Sequence, residues 1–288
     1  MNESYSEQKF LTGKDYQINI IIDYFNKRLK VEDYRGNLSS INHAVLNLVN
    51  EQDFEKLIIK ARKEHLFDFL ETGFMLEAVI KQYFNGSDAL FLVKYFTLER
   101  KNSDKWVEED NILTAILKKQ RDKAPQKASI FTIRKATVQD AKKLASLYQQ
   151  IFKIYPTPLN NPGYIEKEIN NLTIFFVMED GDSIISAASA EINDTYNNAE
   201  ITDCATLPSY RKHGLMKELI VEIEKELINK GIYCAYSIAR ALSYGMNACF
   251  NQLGYSYTGR LINNCNIYDK IEDMNVWVKD LTKVDAEY

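Results

Sequence analysis

The chain has 288 residues, of which 45% are hydrophobic and 26% charged, a composition typical of a soluble globular protein with room for two domains. Its net charge of −4 and pI near 5.6 argue against a nucleic-acid partner. It has no apolar run of membrane-spanning length, and its first ten residues are polar rather than signal-like, so we expect a cytoplasmic protein that binds no membrane.

The first part of the chain, residues 1–120, is predicted to form an α/β domain. Its passage Phe69–Phe74 resembles Phe250–Tyr255 later in the chain, because both look like a helix end that leads into a strand. Residues 38–100 are therefore either a degenerate copy of the chain's second half or an unrelated helical cap. This half has no Gly-containing phosphate loop, so we assign it no catalysis.

A charged segment at Lys118–Ala128, which contains Pro125, is predicted to link this domain to a second one over residues 129–288. Hydrophobic periodicity, caps and glycine stops then predict the element order β-α-α-β-β-β-α-β-α-β-β over residues 130–281. The predicted strands are 130–136, 173–178, 183–192, a strand that carries Glu200, 233–239, 255–262 and 274–278. The predicted helices are 138–152, 164–170, one that begins near 215, and 243–253.

The cysteines and histidines form no recognisable metal or disulfide pattern. The four cysteines lie far apart with no C-x-x-C pair, and the three histidines are spaced unlike a metal site. We therefore expect reduced thiols, as in a cytoplasmic protein, and no structural metal.

The segment Ala199–Lys225 carries the most informative pattern in the chain. A β-prone run ends before Pro208, a basic turn with Gly214 follows, and a long amphipathic helix then begins. The first backbone N–H groups of a helix have no internal partner, and the helix dipole adds partial positive charge there. The turn is therefore predicted to bind an anion such as a phosphate group.

This turn resembles the pyrophosphate loop of the GNAT acyltransferases, [QR]-x-x-G-x-[GA]. Arg211 fills the first position and Gly214 the fourth, while Met216 stands where the family usually has Gly or Ala. Because the element order is also that of the family, the resemblance implies an α+β GNAT fold, preceded by the N-terminal α/β domain, and acetyl-CoA as cosubstrate. It also implies the coenzyme-binding residues Ala205, Thr206, Arg211, Lys212, His213, Gly214, Leu215, Met216, Ser243 and Asn247.

A general base is needed because an ammonium group with a pKa near 10.4 is no nucleophile at pH 7. Glu200 matches the glutamate of histone-acetylating GNAT members, whose strand also begins Ala-Glu-Ile. Regular alternation places Glu200 on one face of its strand and Asp203 on the other, so only one of them is expected to face the cleft. Asp203 is the rival base, and a solvated Glu200 without a catalytic role is the structural alternative. The N–H groups near Cys204–Thr206 are the expected oxyanion donors.

The segment Ser243–Tyr255 resembles a second motif of the family, N-x-x-A-x-x-x-Y-x-x-x-G-F. Its first residue takes the Asn position, and its last two residues match the ending. Phe250 stands where many members carry the tyrosine that protonates the leaving thiolate, and core packing is the simpler interpretation of this residue. Tyr244 or Tyr236, or a water molecule, are the alternatives for the general acid.

Longer motifs resemble the β-lysine N-acetyltransferases, which make the compatible solute Nε-acetyl-β-lysine. The matching segments are IYPTPL (154–159), ARALSYGMN (239–247), LINNCNI (261–267) and EDMNVWVKDL (272–281). The resemblance implies β-lysine as the acceptor, a small-molecule amine. Another small amine, a polyamine or a protein lysine is the alternative acceptor, and a non-catalytic acyl-CoA sensor is the alternative class. A homodimer is compatible with the sequence.

The substrate's amines need acidic partners, and its carboxylate needs a cation. Glu191 and Asp194 join Glu200 and Asp203 as acidic groups on adjacent predicted strands. Arg240 is the candidate for a bidentate pair with the carboxylate, with a surface arginine as its structural alternative. Tyr155, in a proline-rich loop, and Asn264, in a late strand, are the further predicted substrate contacts, although Asn264 also suits a turn or edge position.

Overall fold

The structure is a computed structural model that describes residues 6–120, 130–152, 157–267 and 270–283. The described chain forms two β-sheets that pack face to face. The first part contains β1 (Ser6–Thr12), β2 (Tyr16–Asp23), β3 (Arg28–Gly36), α1 (Leu38–Glu51), β4 (Lys56–Arg62), α2 (Leu66–Glu71), β5 (Met75–Phe84), β6 (Ser87–Tyr95), α3 (Leu98–Lys101) and α4 (Trp106–Leu117). The second part contains β7 (Thr132–Lys135), α5 (Ala141–Ile151), α6 (Pro162–Asn170), β8 (Thr173–Asp180), β9 (Ser183–Asn193), β10 (Asn198–Thr206), α7 (Leu215–Asn229), β11 (Cys234–Arg240), α8 (Tyr244–Gln252), β12 (Ser256–Ile267) and β13 (Lys270–Asp280).

The second sheet has the strand order β12-β13-β11-β10-β9-β8-β7. Strands β10 and β11 pair in parallel, and the other neighbours pair antiparallel. The order of elements from β7 to β13 is the predicted one, which confirms the α+β architecture. The last two strands are longer than predicted, because the register of β12 shifts between Leu261 and Cys265 and pairing with β13 then resumes.

The two sheets share one topology. The first sheet has the order β1-β2-β3-β4-β6-β5, which matches β8-β9-β10-β11-β13-β12 of the second sheet strand for strand. In both, a helix connects the parallel pair: α1 between β3 and β4, and α7 between β10 and β11. This shared order supports the hypothesis of a degenerate copy, and it extends the repeat back from residue 38 to β1.

The connection before α1 is much shorter than the connection before α7. Strand β3 ends at Gly36 and α1 begins at Leu38, with Asn37 between them as the helix cap. The side chain of Asn37 accepts a hydrogen bond from the N–H of Ser40 at 3.1 Å and so occupies a donor of the first turn. Residues 207–214, by contrast, separate β10 from α7. The first half therefore has no phosphate-binding loop at this point.

Hydrophobic packing arranges the molecule in four layers. Helix α1 covers the outer face of the first sheet through Ile41, Val45 and Val49, which recur every four residues. The inner face of the first sheet packs on β11, β12 and β13 of the second sheet. Helices α5 and α6 cover β8 to β10 on that same side. Helices α7 and α8 cover the opposite side of the second sheet.

Helix α4 belongs to the core of the second sheet, although it precedes the predicted linker. Its residues Leu113 and Ile116 are buried in the α7–α8 core. Asn251 of α8 also donates its Nδ2 hydrogen bond to the carbonyl of Ile116 at 3.1 Å. The segment 121–129, which covers most of the predicted linker, lies outside the described residues.

The described structure also bears on thiols, membrane-spanning helices and metal sites. The four cysteines, Cys204, Cys234, Cys249 and Cys265, are free thiols. No helix within the described residues is both long and apolar enough to cross a membrane. In the same part of the chain, no cluster of three or more His, Cys, Asp or Glu side chains is arranged to hold a metal ion.

Candidate active site

Strands β10 and β11 diverge in the middle of the second sheet. Their parallel pairing covers three positions and ends at Glu200 and Tyr236. β10 continues to Thr206 and β11 to Arg240, so an opening forms between them. Within the described chain, the facing edges of this opening have no strand partner. An extended ligand can pair with such an edge through backbone hydrogen bonds.

The predicted anion loop, residues 207–214, follows the diverging end of β10. Left-handed backbone at Lys212 (φ 69°) and Gly214 (φ 79°) turns the chain into α7. Arg211, Lys212 and His213 are exposed on this loop. The first-turn N–H groups of α7 have no intrahelical acceptor, and the helix dipole adds positive charge. Helix, loop and basic side chains therefore fit the phosphate groups of a coenzyme.

The other predicted coenzyme residues near this loop can offer mainly backbone groups to a ligand. Leu215 is buried, and Met216 packs against the same core, which leaves their N–H groups in the first turn of α7. Ala205 and Thr206 end β10 and are tied to β9. Ser186 Oγ donates to the carbonyl of Ala205 at 3.0 Å and lies 2.7 Å from Thr206 Oγ1.

A β-bulge at Asp203 overturns the predicted alternation along β10. Asp203 has a left-handed φ of 51°, and the register with β9 slips at this point. Ala199 and Ile201 pack in the α7 core, whereas Ala205, which would share their face in a regular strand, packs in the α5–α6 core. Asp203 therefore lies on the same face as Glu200, and the expectation that only one of them faces the cleft is wrong.

Three carboxylates gather on this face of the second sheet. Glu200 lies directly opposite Glu191 in the β9–β10 pair, and Ser189 Oγ donates to Asp203 Oδ2 at 2.7 Å. The three acids line a cavity of about 290 Å³. Burial, with the nearby charges of Glu200 and Asp203, raises the pKa of Glu191 to about 8. Burial also raises the pKa of Glu200. Carboxyl groups with raised pKa values suit proton transfer near neutral pH.

The first half of the chain forms the opposite wall of the cavity. The apolar residues of β3 face the core under α1, so the alternate residues Arg28, Lys30 and Glu32 face the other way and line the cavity. Lys60 of β4 lines it as well. From its sequence, this half was expected to have no part in catalysis. The alternation of charged and apolar residues along β3 is the pattern that could have shown it.

Charge pairing links the first half to the carboxylates. Lys60 forms an ion pair with Glu32. Although burial opposes ionisation of Glu32, Lys60 and Lys30 hold the pKa of this carboxyl at about 2. The same two lysines act against the burial that raises the pKa of Glu200. The protonation of the second sheet's acids is therefore influenced by residues of the first sheet.

The two other predicted substrate residues within the described chain differ in the hydrogen bonds that they make inside the protein. Arg240 lines the cavity but is already paired with Glu272, through Nε to Oε2 at 2.7 Å and Nη2 to Oε1 at 2.8 Å. The bidentate geometry on which its prediction rested is thus used within the protein. Asn264 also lines the cavity, and its buried Oδ1 accepts no hydrogen bond from the described chain.

Asn247, a predicted coenzyme residue, uses both ends of its amide inside the protein. Its Nδ2 donates to the carbonyls of Arg240 and Ser243 at 2.9 and 2.7 Å. Its Oδ1 accepts from Asn275 Nδ2 at 2.9 Å and from Trp277 Nε1 at 2.8 Å. Because these bonds satisfy the buried amide, Asn247 fixes the turn between β11 and α8. Ser243, by contrast, lines the cavity at the start of α8.

No tyrosine is found among the described residues that line the cavity. Phe250 is fully buried in the core, as its simpler interpretation predicted. Tyr244, the predicted acid, lies 40% exposed at the start of α8, with Lys119 Nζ 5.2 Å from its ring centroid. The structure thus places Tyr244 outside the cavity. A thiol has a pKa near 8.5, so a thiolate can leave without an acid. Tyr155 lies outside the described residues.

A strand pair that diverges beside a predicted anion loop and an acid-lined cavity fits a coenzyme-dependent acyl transferase. The family model "Acetyltransferase (GNAT) family" matches residues 142–255. N-acetyltransferase YodP of Bacillus subtilis is 41% identical over 259 residues, which are 90% of this chain and 94% of that protein. The chain therefore belongs to the GNAT acetyltransferase family, and it is an N-acetyltransferase that uses acetyl-CoA.

Two further proteins are similar to this chain. Beta-lysine N(6)-acetyltransferase of Methanosarcina mazei is 36% identical over 270 residues, which are 86% of this chain and all of that protein. Among solved structures, the ribosomal-protein-S18-alanine N-acetyltransferase from Escherichia coli aligns with a TM-score of 0.47 at 16% identity. That alignment covers 55% of this chain and 99% of the other.

Proposed function

We propose that this acetyltransferase moves the acetyl group of acetyl-CoA to the side-chain amine of β-lysine. The charge of the cavity carries the proposal: Glu191, Glu200 and Asp203 form one wall, and cationic residues of β3 and β4 form the other. A diamino acid has two ammonium groups and one carboxylate, which complement these walls. The name of the M. mazei relative, which aligns over its whole length, agrees with this acceptor.

Glu200 is the proposed general base. The side-chain ammonium must lose a proton before its nitrogen can attack, and Glu200 lies where β10 and β11 begin to diverge. Acetyl-CoA supplies the acetyl thioester. As the nitrogen bonds to the acetyl carbon, the carbon–sulfur bond breaks and the sulfur leaves with the electron pair. Glu200 accepts the first proton of the ammonium. The nitrogen loses a second proton on becoming an amide, and that proton converts the departing thiolate into a thiol.

The neighbouring groups of the cavity position the two amines. Asp203 and Glu191 provide negative charge beside Glu200, and Asn264 is a proposed polar contact on the cavity wall. The bulge at Asp203 interrupts the β9–β10 ladder, so backbone N–H groups there can donate to an oxygen that gains negative charge.

Replacing the base tests this assignment. With acetyl-CoA and β-lysine, release of free thiol is expected to fall by about 100-fold or more in Glu200→Gln, the range for loss of a general base. Coenzyme binding, followed by thermal shift, should be unchanged. Glu222→Gln is the matched control, because Glu222 lies on the solvent side of α7 beside Lys225. A Glu200→Gln variant with full activity would contradict the role of Glu200.

The same assay with α-lysine, spermidine and a lysine-containing peptide compares the other acceptors. Fast turnover with β-lysine alone would support the proposal, whereas preference for another amine would replace the acceptor and keep the acetyltransferase. Binding of the coenzyme without turnover of any amine would favour the sensor interpretation. The product's role as a compatible solute, the cytoplasmic location and a homodimer stay predictions from the sequence.

A further inference from the structure

The cationic side chains of the cavity are not equivalent. Four of them line its described walls: Arg28, Lys30, Lys60 and Arg240. Three are held by a close carboxylate, in the pairs Arg28–Asp23, Lys60–Glu32 and Arg240–Glu272. The fourth, Lys30, has its Nζ 3.8 Å from Glu32 Oε1, which is beyond hydrogen-bond distance. Because Glu32 is already bonded to Lys60, Lys30 is the cation with spare capacity for an anionic ligand.

Lys30 faces the acids of the second sheet across the cavity. Its strand neighbours Leu29 and Val31 are buried in the core under α1, which directs Lys30 to the inner face of the sheet. Its charge lowers the pKa of both Glu191 and Glu200 against the effect of burial. The ammonium therefore lies within electrostatic reach of both acids, while 29% of its side chain stays exposed and can meet a ligand.

We propose that Lys30 binds the carboxylate of the acceptor and thereby selects an amino acid over a plain diamine or a polyamine. This inference rests on the proposed function, since it names the group that recognises one end of the same substrate. With the ammonium groups at Glu200 and its neighbours, the carboxylate of a short diamino acid lies toward the β3 wall. A charge-assisted hydrogen bond forms there.

The same lysine also discriminates against the alternatives. A polyamine would bring an ammonium group to the position that a carboxylate should occupy, where Lys30 repels it. A diamine without a carboxylate would leave Lys30 without its partner and gain nothing from it. The first half of the chain, which has no coenzyme loop of its own, thus contributes the determinant of acceptor choice.

The test compares β-lysine with 1,4-diaminopentane, which is β-lysine without its carboxylate. In Lys30→Met, kcat/KM for β-lysine is expected to fall about 10- to 100-fold, mainly through KM, as for loss of one charge-assisted hydrogen bond. Both amines are compared at a pH above the acid limb, where loss of the Lys30 charge does not change the ionisation of Glu200. There kcat/KM for 1,4-diaminopentane should stay within about twofold, because that amine lacks the group that Lys30 binds. Lys30→Arg should retain most of the preference for β-lysine.

Lys27→Met is the matched control. Lys27 lies on the preceding turn, its side chain is 61% exposed, it pairs with Glu55 and it does not line the cavity. We expect this variant to behave as the unaltered enzyme toward both amines. Equal losses for the two amines in Lys30→Met, or no loss, would overturn the proposed role of Lys30 and leave the proposed function in place. An unaltered enzyme that ignores β-lysine would contradict the proposed function, and with it this inference.

Discussion

Glu200 is held between opposing influences on its proton affinity. Burial raises its pKa, Lys60 and Lys30 lower it, and the charge of Glu32 raises it again. The ionisable groups that surround it come from five strands, namely Lys30 and Glu32 on β3, Lys60 on β4, Glu191 on β9, Asp203 on β10 and Tyr236 on β11. A general base works best when its pKa lies near the working pH, and this balance provides the means to place it there.

Lys60→Met is expected to shift the acid limb of the pH–rate profile to higher pH by about one unit. Without Lys60 the pKa of Glu200 rises, and Glu32, left without its partner, raises it further. Only deprotonated Glu200 can accept the ammonium's proton, so activity on the acid side falls. The measurement is kcat/KM for β-lysine as a function of pH, which reports the pKa values of the free enzyme.

Lys56→Met provides the control for this profile. Lys56 lies on the same face of β4, is fully buried, pairs with Glu77 at 3.0 Å and does not line the cavity. Both variants remove the lysine that pairs with a partly buried carboxylate, Glu32 or Glu77, and should lose stability. Only Lys60→Met should move the acid limb. If the acid limb of Lys60→Met stayed in place, as that of Lys56→Met should, the first sheet would not control the charge of Glu200.

At the scale of elements, helix α7 has a left-handed glycine at each end. Gly214 (φ 79°) precedes its first turn, and Gly231 (φ 74°) follows its last. An L-residue with this backbone costs about 1–2 kcal/mol, so alanine at either site should lower stability by a similar amount. Only the first site belongs to the anion loop.

Gly214→Ala is therefore expected to raise KM for acetyl-CoA about tenfold, because a shifted loop misplaces the first-turn N–H donors. Gly231→Ala should leave this KM unchanged, since open space surrounds the added Cβ and the site lies at the far end of the helix. The KM of the amine should not change in either variant. Equal coenzyme KM values in the two variants would contradict the assignment of the loop.

The elements of the second half could be predicted from the sequence because their cues are local. The apolar stripe of α7 and its Gly231 stop depend on residues within one or two helical turns. The bulge at Asp203 could not, since it exists only in the pairing of β10 with β9. The pairing of Arg240 with Glu272 is likewise a contact between distant segments. It occupies the guanidinium group that was predicted to bind the carboxylate of the substrate.

At the scale of the whole molecule, the two sheets are joined by buried polar contacts at an irregular part of β12. Arg28 Nη1 and Arg100 Nη2 donate to the carbonyl of Asn264 at 2.8 and 3.2 Å, and Lys56 Nζ donates to that of Ile262 at 2.7 Å. Cations of the first half thus hold the segment that presents Asn264 to the cavity. The cavity of the candidate active site is consequently built by both halves.

The contribution of the first half to the cavity could not be predicted either, because it too depends on contacts between distant segments of the chain. Arg28, Lys30 and Glu32 alternate with apolar residues, which marks a strand with one charged face. Sequence periodicity cannot tell a charged face that meets solvent from one that meets a cavity. Only the face-to-face packing of the two sheets decides between them.

The central claim is that a cavity built by both halves directs acetyl transfer to the side-chain amine of β-lysine. The most direct measurement is the NMR spectrum of the product that the full chain forms from β-lysine and acetyl-CoA. We predict a single product with the acetyl group on the side-chain nitrogen, formed with one equivalent of free thiol. Acetylation of the β-amine, or thiol release without an acetylated amino acid, would contradict the account.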